Sequence, residues 1–204
     1  MHPWRERLSR WLTPMARRTR LSPDAITLVA LLLNLIGAGM FLLGTRHPAL
    51  FLAAILFIAV AGFADALDGV VARLQQKETR FGNFLDHVCD RLSDTALAAC
   101  WMIGNRVRES LVVTAVVFIM LNGYIGTQIE ATFRERNYQS IGRGEFVLAL
   151  IVFPIVSFIL CSNGWAALRF GGATVAEWLS VALIAFALLG IGQRVALARR
   201  MERS

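Results

Sequence analysis

The sequence predicts an all-α, polytopic membrane protein: about six transmembrane helices, preceded by an amphipathic helix in the membrane interface. Three observations lead there. Hydrophobic residues make up 56% of the 204, against about 45–50% in a soluble domain, and mean hydropathy is +0.58. The apolar residues fall in runs of about 20, the length that crosses a bilayer as helix. The basic residues lie mainly between these runs and alternate in density from one connection to the next, as membrane topology requires.

The first element is short. Trp4, Leu8, Trp11, Leu12 and Met15 recur at helical spacing with arginines between them, the pattern of a helix lying in the interface. A plain basic flank is the alternative. Pro14 is expected to end or kink this helix. Residues 1–22 therefore form a juxtamembrane segment, and 23–204 a six-helix transmembrane domain. The basic start ahead of an apolar run superficially resembles a signal peptide, but the run is too long and further spans follow. Ser22-Pro23-Asp24 reads as an N-cap, a proline at the first helical position and an early acidic residue.

The six spans are expected near Ala25–Gly44, Pro48–Arg73, Gly82–Gly104, Ser110–Phe133, Glu145–Ala167 and Thr174–Ala196. No strand alternation is sustained and no internal repeat is visible. An even span count puts both termini on one side. Sixteen of the 21 basic residues fall on that side, among them Arg73, Lys77, Arg80, Arg134, Arg136 and Arg143. Four fall on the other: Arg46, Arg106, Arg108 and Arg169. The first side is expected to be cytoplasmic. The net charge of +7 then serves anionic lipid and phosphorylated ligands rather than nucleic acid. Cys89, Cys100 and Cys161 lie in apolar runs without paired spacing and read as reduced core residues.

Four aspartates break the apolar pattern. Asp65, Asp68, Asp86 and Asp90 lie within the second and third spans, where each carboxylate costs about 2.5–3.5 kcal/mol. Asp65, Asp68, Gly69, Ala72 and Arg73 share one helix face, and Gly82, Asp86, Asp90 and Asp94 are each four apart on the next helix. A short connection makes the two helices antiparallel neighbours, so the stripes face one another. Converging carboxylates cannot all stay ionised without cations. Oxygen-only donors without a cysteine pair favour Mg²⁺, Mn²⁺ or Ca²⁺ over zinc, and Mg²⁺ completes its shell with water and substrate phosphate. Gly69 and Ala72 remove bulk for a close approach, and Arg73 carries a planar fork suited to phosphate. A structural hydrogen-bonding role, or pairing with Arg91, would account for one such aspartate but not for two matched stripes. His87 lies one residue from Asp86 and is expected to point elsewhere.

Asp65-x-x-Asp68-Gly69-x-x-Ala72-Arg73, eight residues, then Gly82-x-x-x-Asp86-x-x-x-Asp90 resembles the signature of the CDP-alcohol phosphotransferase family, with every specified position filled. The resemblance implies a transferase of phospholipid biosynthesis. Such an enzyme moves a phosphatidyl or related group from a CDP-alcohol, often CDP-diacylglycerol, onto a second, polar alcohol and releases CMP. By similarity, Asp65, Asp68, Asp86 and Asp90 would hold two divalent ions, Mg²⁺ or Mn²⁺, and Asp90 would also act as general base. Asp68, Gly69, Ala72, Arg73 and Gly82 would shape or bind the CDP end. The family also implies a homodimer in the cell inner membrane with its site facing the cytoplasm.

The acceptor is left open. Arg134, Arg136 and Arg143 would suit a clamp on an acceptor phosphate, as in glycerol phosphate or inositol phosphate, and equally supply inside-positive charge. Asp90-Arg91-Leu92-Ser93-Asp94 is similar to inositol-phosphate-using members, whereas Asp86-His87-Val88-Cys89-Asp90 leans toward the choline and ethanolamine branch. Many members carry Pro-Asn where this chain has Pro23-Asp24. Gly123-Tyr124-Ile125-Gly126 and Gly190-Ile191-Gly192 suggest close helix packing and a dimer face. A divalent metal-ion transporter using the aspartates is the rival reading, although transporters carry polar groups onward across the bilayer and often internal repeats.

Overall fold

The computed structural model describes residues 3–133 and 143–202, with side chains from Trp11 onward apart from those of 143–145 and 147. Helix α1 spans Pro3–Arg18, α2 Pro23–Leu43, α3 Ala49–Leu74, α4 Arg80–Gly104, α5 Glu109–Phe133, α6 Arg143–Ser162 and α7 Val175–Met201. The six long helices α2 to α7 each overlap one of the six expected spans. Helices α2, α3, α5 and α7 are each long and apolar enough to cross a bilayer. Helix α4 is 25 residues long but carries Asp86, Asp90, Arg91 and Asp94. In α6 the apolar stretch is shorter, Leu148–Ser162. Leucines and valines point outward along the bundle, among them Leu56, Val113 and Leu148, as a lipid-facing surface would have it.

Helix α1 does not end at Pro14, one of the two outcomes expected there, but continues to Arg18. Proline forfeits one backbone bond in the last turn, and tertiary packing offsets the loss. Leu12 (2% exposed) and Ala16 are buried against Ile26, Val70 and Val71. Trp11 (83% exposed) and Met15 face outward, beside Arg17 and Arg18. The amphipathic helix is thus seated on α2 and α3 and keeps a second apolar edge free for lipid.

The start of α2 is as anticipated. Ser22 Oγ accepts from the Ala25 N–H at 3.3 Å, with Pro23 in the first turn. Thr79 caps α4 by accepting from the Gly82 N–H at 2.9 Å. Together these caps bring the entries of α2 and α4 beside the exit of α3, where the aspartate motif lies.

A core of Phe41, Phe51, Leu97, Trp101, Met102 and Ala115 joins the helices. Trp101 donates to Ser157 Oγ at 3.1 Å and packs on Phe153 with ring centroids 5.3 Å apart. Close approach of α2 to α4 depends on Gly104, because a methyl group there would collide with the Phe41 carbonyl. Gly104→Ala is therefore expected to destabilise the protein by about 1–3 kcal/mol, the range for overpacking, read as a lower melting temperature in detergent.

The far end differs from expectation. Helix α6 stops at Ser162 rather than near Ala167, because Gly164 takes φ +73°. The Trp165 N–H bonds to the Leu160 carbonyl and the Gly164 N–H to that of Cys161, a left-handed glycine cap. A two-residue antiparallel hairpin follows, β1 Arg169–Phe170 and β2 Ala173–Thr174, turned by Gly171 and Gly172 at positive φ. Thr174 and Glu177 then form a reciprocal capping box on α7. Arg108 Nε donates to Glu177 Oε1 at 2.6 Å, tying the start of α5 to that of α7.

Candidate active site

Helices α3 and α4, joined by the short turn at 75–79, do not pack side by side as expected: each packs on α2 instead, and only near the turn do their carboxylates meet. One oxygen from each of Asp65, Asp68 and Asp86 lies within 4.8 Å of the others. A second group, of Asp86, His87 and Asp90, satisfies the same limit. Asp86 is common to both. The four aspartates picked out by helical spacing are therefore brought together as two linked donor sets. His87 lies nearer the carboxylates than its place on the helix suggests, and its Nε2 is 3.9 Å from Glu130 Oε2 on α5.

Asp68 is buried, at 9% exposure. Its Oδ2 accepts from Thr27 Oγ1 on α2 at 2.6 Å. Asp90 lies 3.8 Å from Arg91 Nη2, and Asp94 lies 3.6 Å from Arg91 Nη1. One guanidinium thus bridges the last two acidic positions of the α4 stripe.

A cavity of about 590 Å³ opens beside the first donor set. Asp68, Gly69, Ala72, Arg73, Gly82 and Asp86 all line it, together with Lys77 and Arg80. Asp24 and Thr27 close it from the α2 side. Arg73 folds back along its own helix, so that a methyl group at Gly69 would lie 3.6 Å from Nη1. At Gly82 a methyl group would press on Thr79 Oγ1 at 3.1 Å and on Asp24 Oδ1 at 3.2 Å. Gly82 therefore keeps the mouth of the cavity clear, whereas Gly69 leaves ordinary contact distance to Arg73. Carboxylates together with arginine and lysine around one cavity suit a divalent cation bridged to a diphosphate.

The donor chemistry fits the ions expected. Three carboxylate oxygens from two rigid helices make a hard site for Mg²⁺ or Mn²⁺. In the second set, the His87 nitrogen is a donor that Mn²⁺ accepts more readily than Mg²⁺.

Several residues had no clear sequence signal. Thr27 is one, a hydroxyl in an apolar run. Arg194 on α7 is another. It donates to the Asn122 carbonyl of α5, and with Arg91, Asp94 and Asn122 it lines a cavity of about 70 Å³. Gly123 and Gly126 belong to this feature. Methyl groups there would strike the Arg91 and Arg194 side chains, so this pair makes room for arginines within the protomer rather than for a helix of a second copy. Arg134 and Arg136 lie outside the described residues, as does the side chain of Arg143.

The CDP-alcohol phosphatidyltransferase family model matches residues 20–189. Among curated proteins, the chain is 32% identical over 133 residues to the phosphatidylinositol phosphate synthase of Mycobacterium marinum, covering 62% of this chain and 55% of that protein. It is 29% identical over 142 residues to the archaetidylinositol phosphate synthase of Pyrococcus horikoshii, covering 68% and 72%. Mycobacterium tuberculosis phosphatidylinositol phosphate synthase, solved with manganese and citrate, superposes with TM-score 0.64 at 27% identity over 92% of this chain and 88% of that one. Its CDP-DAG complex gives 0.63 at 26% identity over 92% and 91%. These matches speak for the transferase reading over the metal-ion transporter. With the filled aspartate signature and the helical membrane architecture, they establish that the chain belongs to the CDP-alcohol phosphatidyltransferase family.

Proposed function

We propose that the protein transfers a phosphatidyl group from a CDP-alcohol lipid, of the CDP-diacylglycerol kind, to the hydroxyl of a polyol phosphate and releases CMP. The observation that carries this reading is the pair of carboxylate sets sharing Asp86, at the wall of a cavity lined by Arg73, Lys77 and Arg80. An inositol phosphate is the favoured acceptor, in keeping with the synthases that the chain resembles.

In this reading Asp65, Asp68, Asp86 and Asp90 hold two divalent ions, which when bound spread the negative charge of the diphosphate and of departing CMP. Arg73 supplies the planar fork to a phosphate of the donor, and Gly69, Ala72 and Gly82 leave space for the nucleotide. Asp90 takes the proton from the acceptor hydroxyl as that oxygen bonds to the lipid-side phosphorus. The bond from phosphorus to the bridging oxygen breaks, and that oxygen leaves with CMP. Positioning contributes more than basicity, because a carboxylate is a weak base. Arg134, Arg136 and Arg143 are the proposed acceptor clamp. Arg194 lines a small cavity with Arg91 and with Asp94, which lies one helical turn along α4 from Asp90, and adds positive charge there.

The protein works as a membrane homodimer with its site open to the cytoplasm. The donor enters laterally from the lipid and the acceptor from water. The bias of arginine and lysine toward the motif side supports that orientation.

The test is release of CMP from CDP-diacylglycerol by the purified protein in detergent or liposomes. Inositol phosphate, glycerol phosphate, inositol, choline and ethanolamine are offered in turn, with Mn²⁺ or Mg²⁺. Release is expected with inositol phosphate, with the lipid product retaining two phosphates, and chelation is expected to abolish it. Release with choline or ethanolamine alone would overturn the acceptor assignment.

A further inference from the structure

Thr27 sits in the first turns of α2, away from the aspartate motif in sequence, yet it makes a short side-chain hydrogen bond to it. Its Oγ1 lies 2.6 Å from Asp68 Oδ2 and 3.1 Å from the Pro23 carbonyl. A helical threonine ordinarily returns its proton to the carbonyl four residues back. Here the carboxylate is the nearer acceptor, within the about 2.5–2.7 Å range of a hydroxyl bound to a charged oxygen. Thr27 is 7% exposed, so water does not compete freely for either partner.

We propose that Thr27 is a positioning residue for the metal site, its hydroxyl fixing the orientation in which Asp68 meets a divalent cation. This rests on the metal-dependent transferase reading above. A carboxylate between two others is pushed to rotate away from them whenever no cation is present. A donor on a separate, rigid element holds it in place and lowers the reorganisation needed on binding. Helix α2 has that rigidity. Its start is capped by Ser22, and Ile26 is locked with Leu12, Ala16, Val70 and Val71 in one buried cluster. The branched side chain of Thr27 limits its own rotation, so the helix position sets the aim of the hydroxyl. Pro23 and Asp24, one turn earlier, line the nucleotide cavity. The bond thereby couples the α2 wall of that cavity to the cation-holding wall on α3.

The experiment is a Mn²⁺ titration of the purified full chain in detergent, followed by loss of the free-ion electron paramagnetic resonance signal. Melting without metal checks the fold of each variant. Thr27→Val keeps the shape and removes the hydroxyl. It is expected to weaken Mn²⁺ binding about 10- to 100-fold, the usual cost of losing a partner behind a metal ligand. Thr27→Ser keeps the donor and should bind within about threefold of wild type. If Thr27→Val does not fold, Thr27→Ala removes the same hydroxyl and carries the same expectation. Mn²⁺ affinity unchanged without the hydroxyl, or equally weak in Thr27→Ser, overturns the proposal. Asp68→Asn separates the two levels. If it loses binding while Thr27→Val does not, only the role of Thr27 falls. If wild type takes up no Mn²⁺, the metal reading falls and this inference with it.

Discussion

Asp90→Asn should leave the protein folded and lower the rate of CMP release about 10²- to 10⁴-fold, the contribution typical of a positioned general base. The fold should survive because the amide is nearly the same size and Arg91 keeps Asp94 as a partner at 3.6 Å. With Mn²⁺ saturating, so that weaker metal binding is not read as loss of the base, the deficit should appear in kcat more than in the KM for the CDP-lipid. Asp90 belongs to the second donor set, whereas the cavity proposed for the nucleotide is lined by Asp68 and Asp86 and not by Asp90. Melting temperature and CDP-lipid binding are the controls. A variant that keeps wild-type turnover would remove Asp90 from proton transfer.

Asp86→Asn should be the most damaging change to metal binding. Asp86 is the one carboxylate common to both donor sets, so replacing it weakens two sites at once. Its effect on Mn²⁺ affinity should exceed the about 10- to 100-fold expected for removing an outer partner. Asp65→Asn touches one set only and should cost less. Titration of each variant with Mn²⁺ checks the order. An Asp86→Asn protein that binds Mn²⁺ better than Asp65→Asn would mean that the two sets do not share a ligand.

The legible part of this site is the part carried by helical period. Asp65, Asp68, Gly69, Ala72 and Arg73 are spaced to share a face, as are Gly82, Asp86 and Asp90, and a short turn brings the ends of the two helices together; that α2 packs on both of them is not legible in that spacing. Thr27 is illegible for a physical reason. A threonine in an apolar helix satisfies itself on its own backbone, so its sequence position does not reveal a carboxylate 41 residues away. Arg194 is similar, since an arginine near a helix end reads as topology before it reads as a ligand. Gly123 and Gly126 show the opposite hazard. Their spacing suits helix association, but the space they leave is taken by Arg91 and Arg194.

At the fold level, the spans were readable because bilayer thickness sets their length. Their ends were not, because local caps decide them. Asn163-Gly164 ends α6, and Gly171-Gly172 turns a hairpin too short to show alternation. Pro14 does not end α1 because Leu12 and Ala16 are buried beside Ile26, Val70 and Val71, which outweighs one missing backbone bond.

The most direct measurement is anomalous diffraction from crystals of the protein grown with Mn²⁺ and a CDP-lipid. Two manganese peaks are expected between α3 and α4, one ringed by Asp65, Asp68 and Asp86 and the other by Asp86 and Asp90, with the diphosphate density against them and Arg73 alongside. Manganese bound elsewhere, or a diphosphate seated away from these aspartates, would contradict the account.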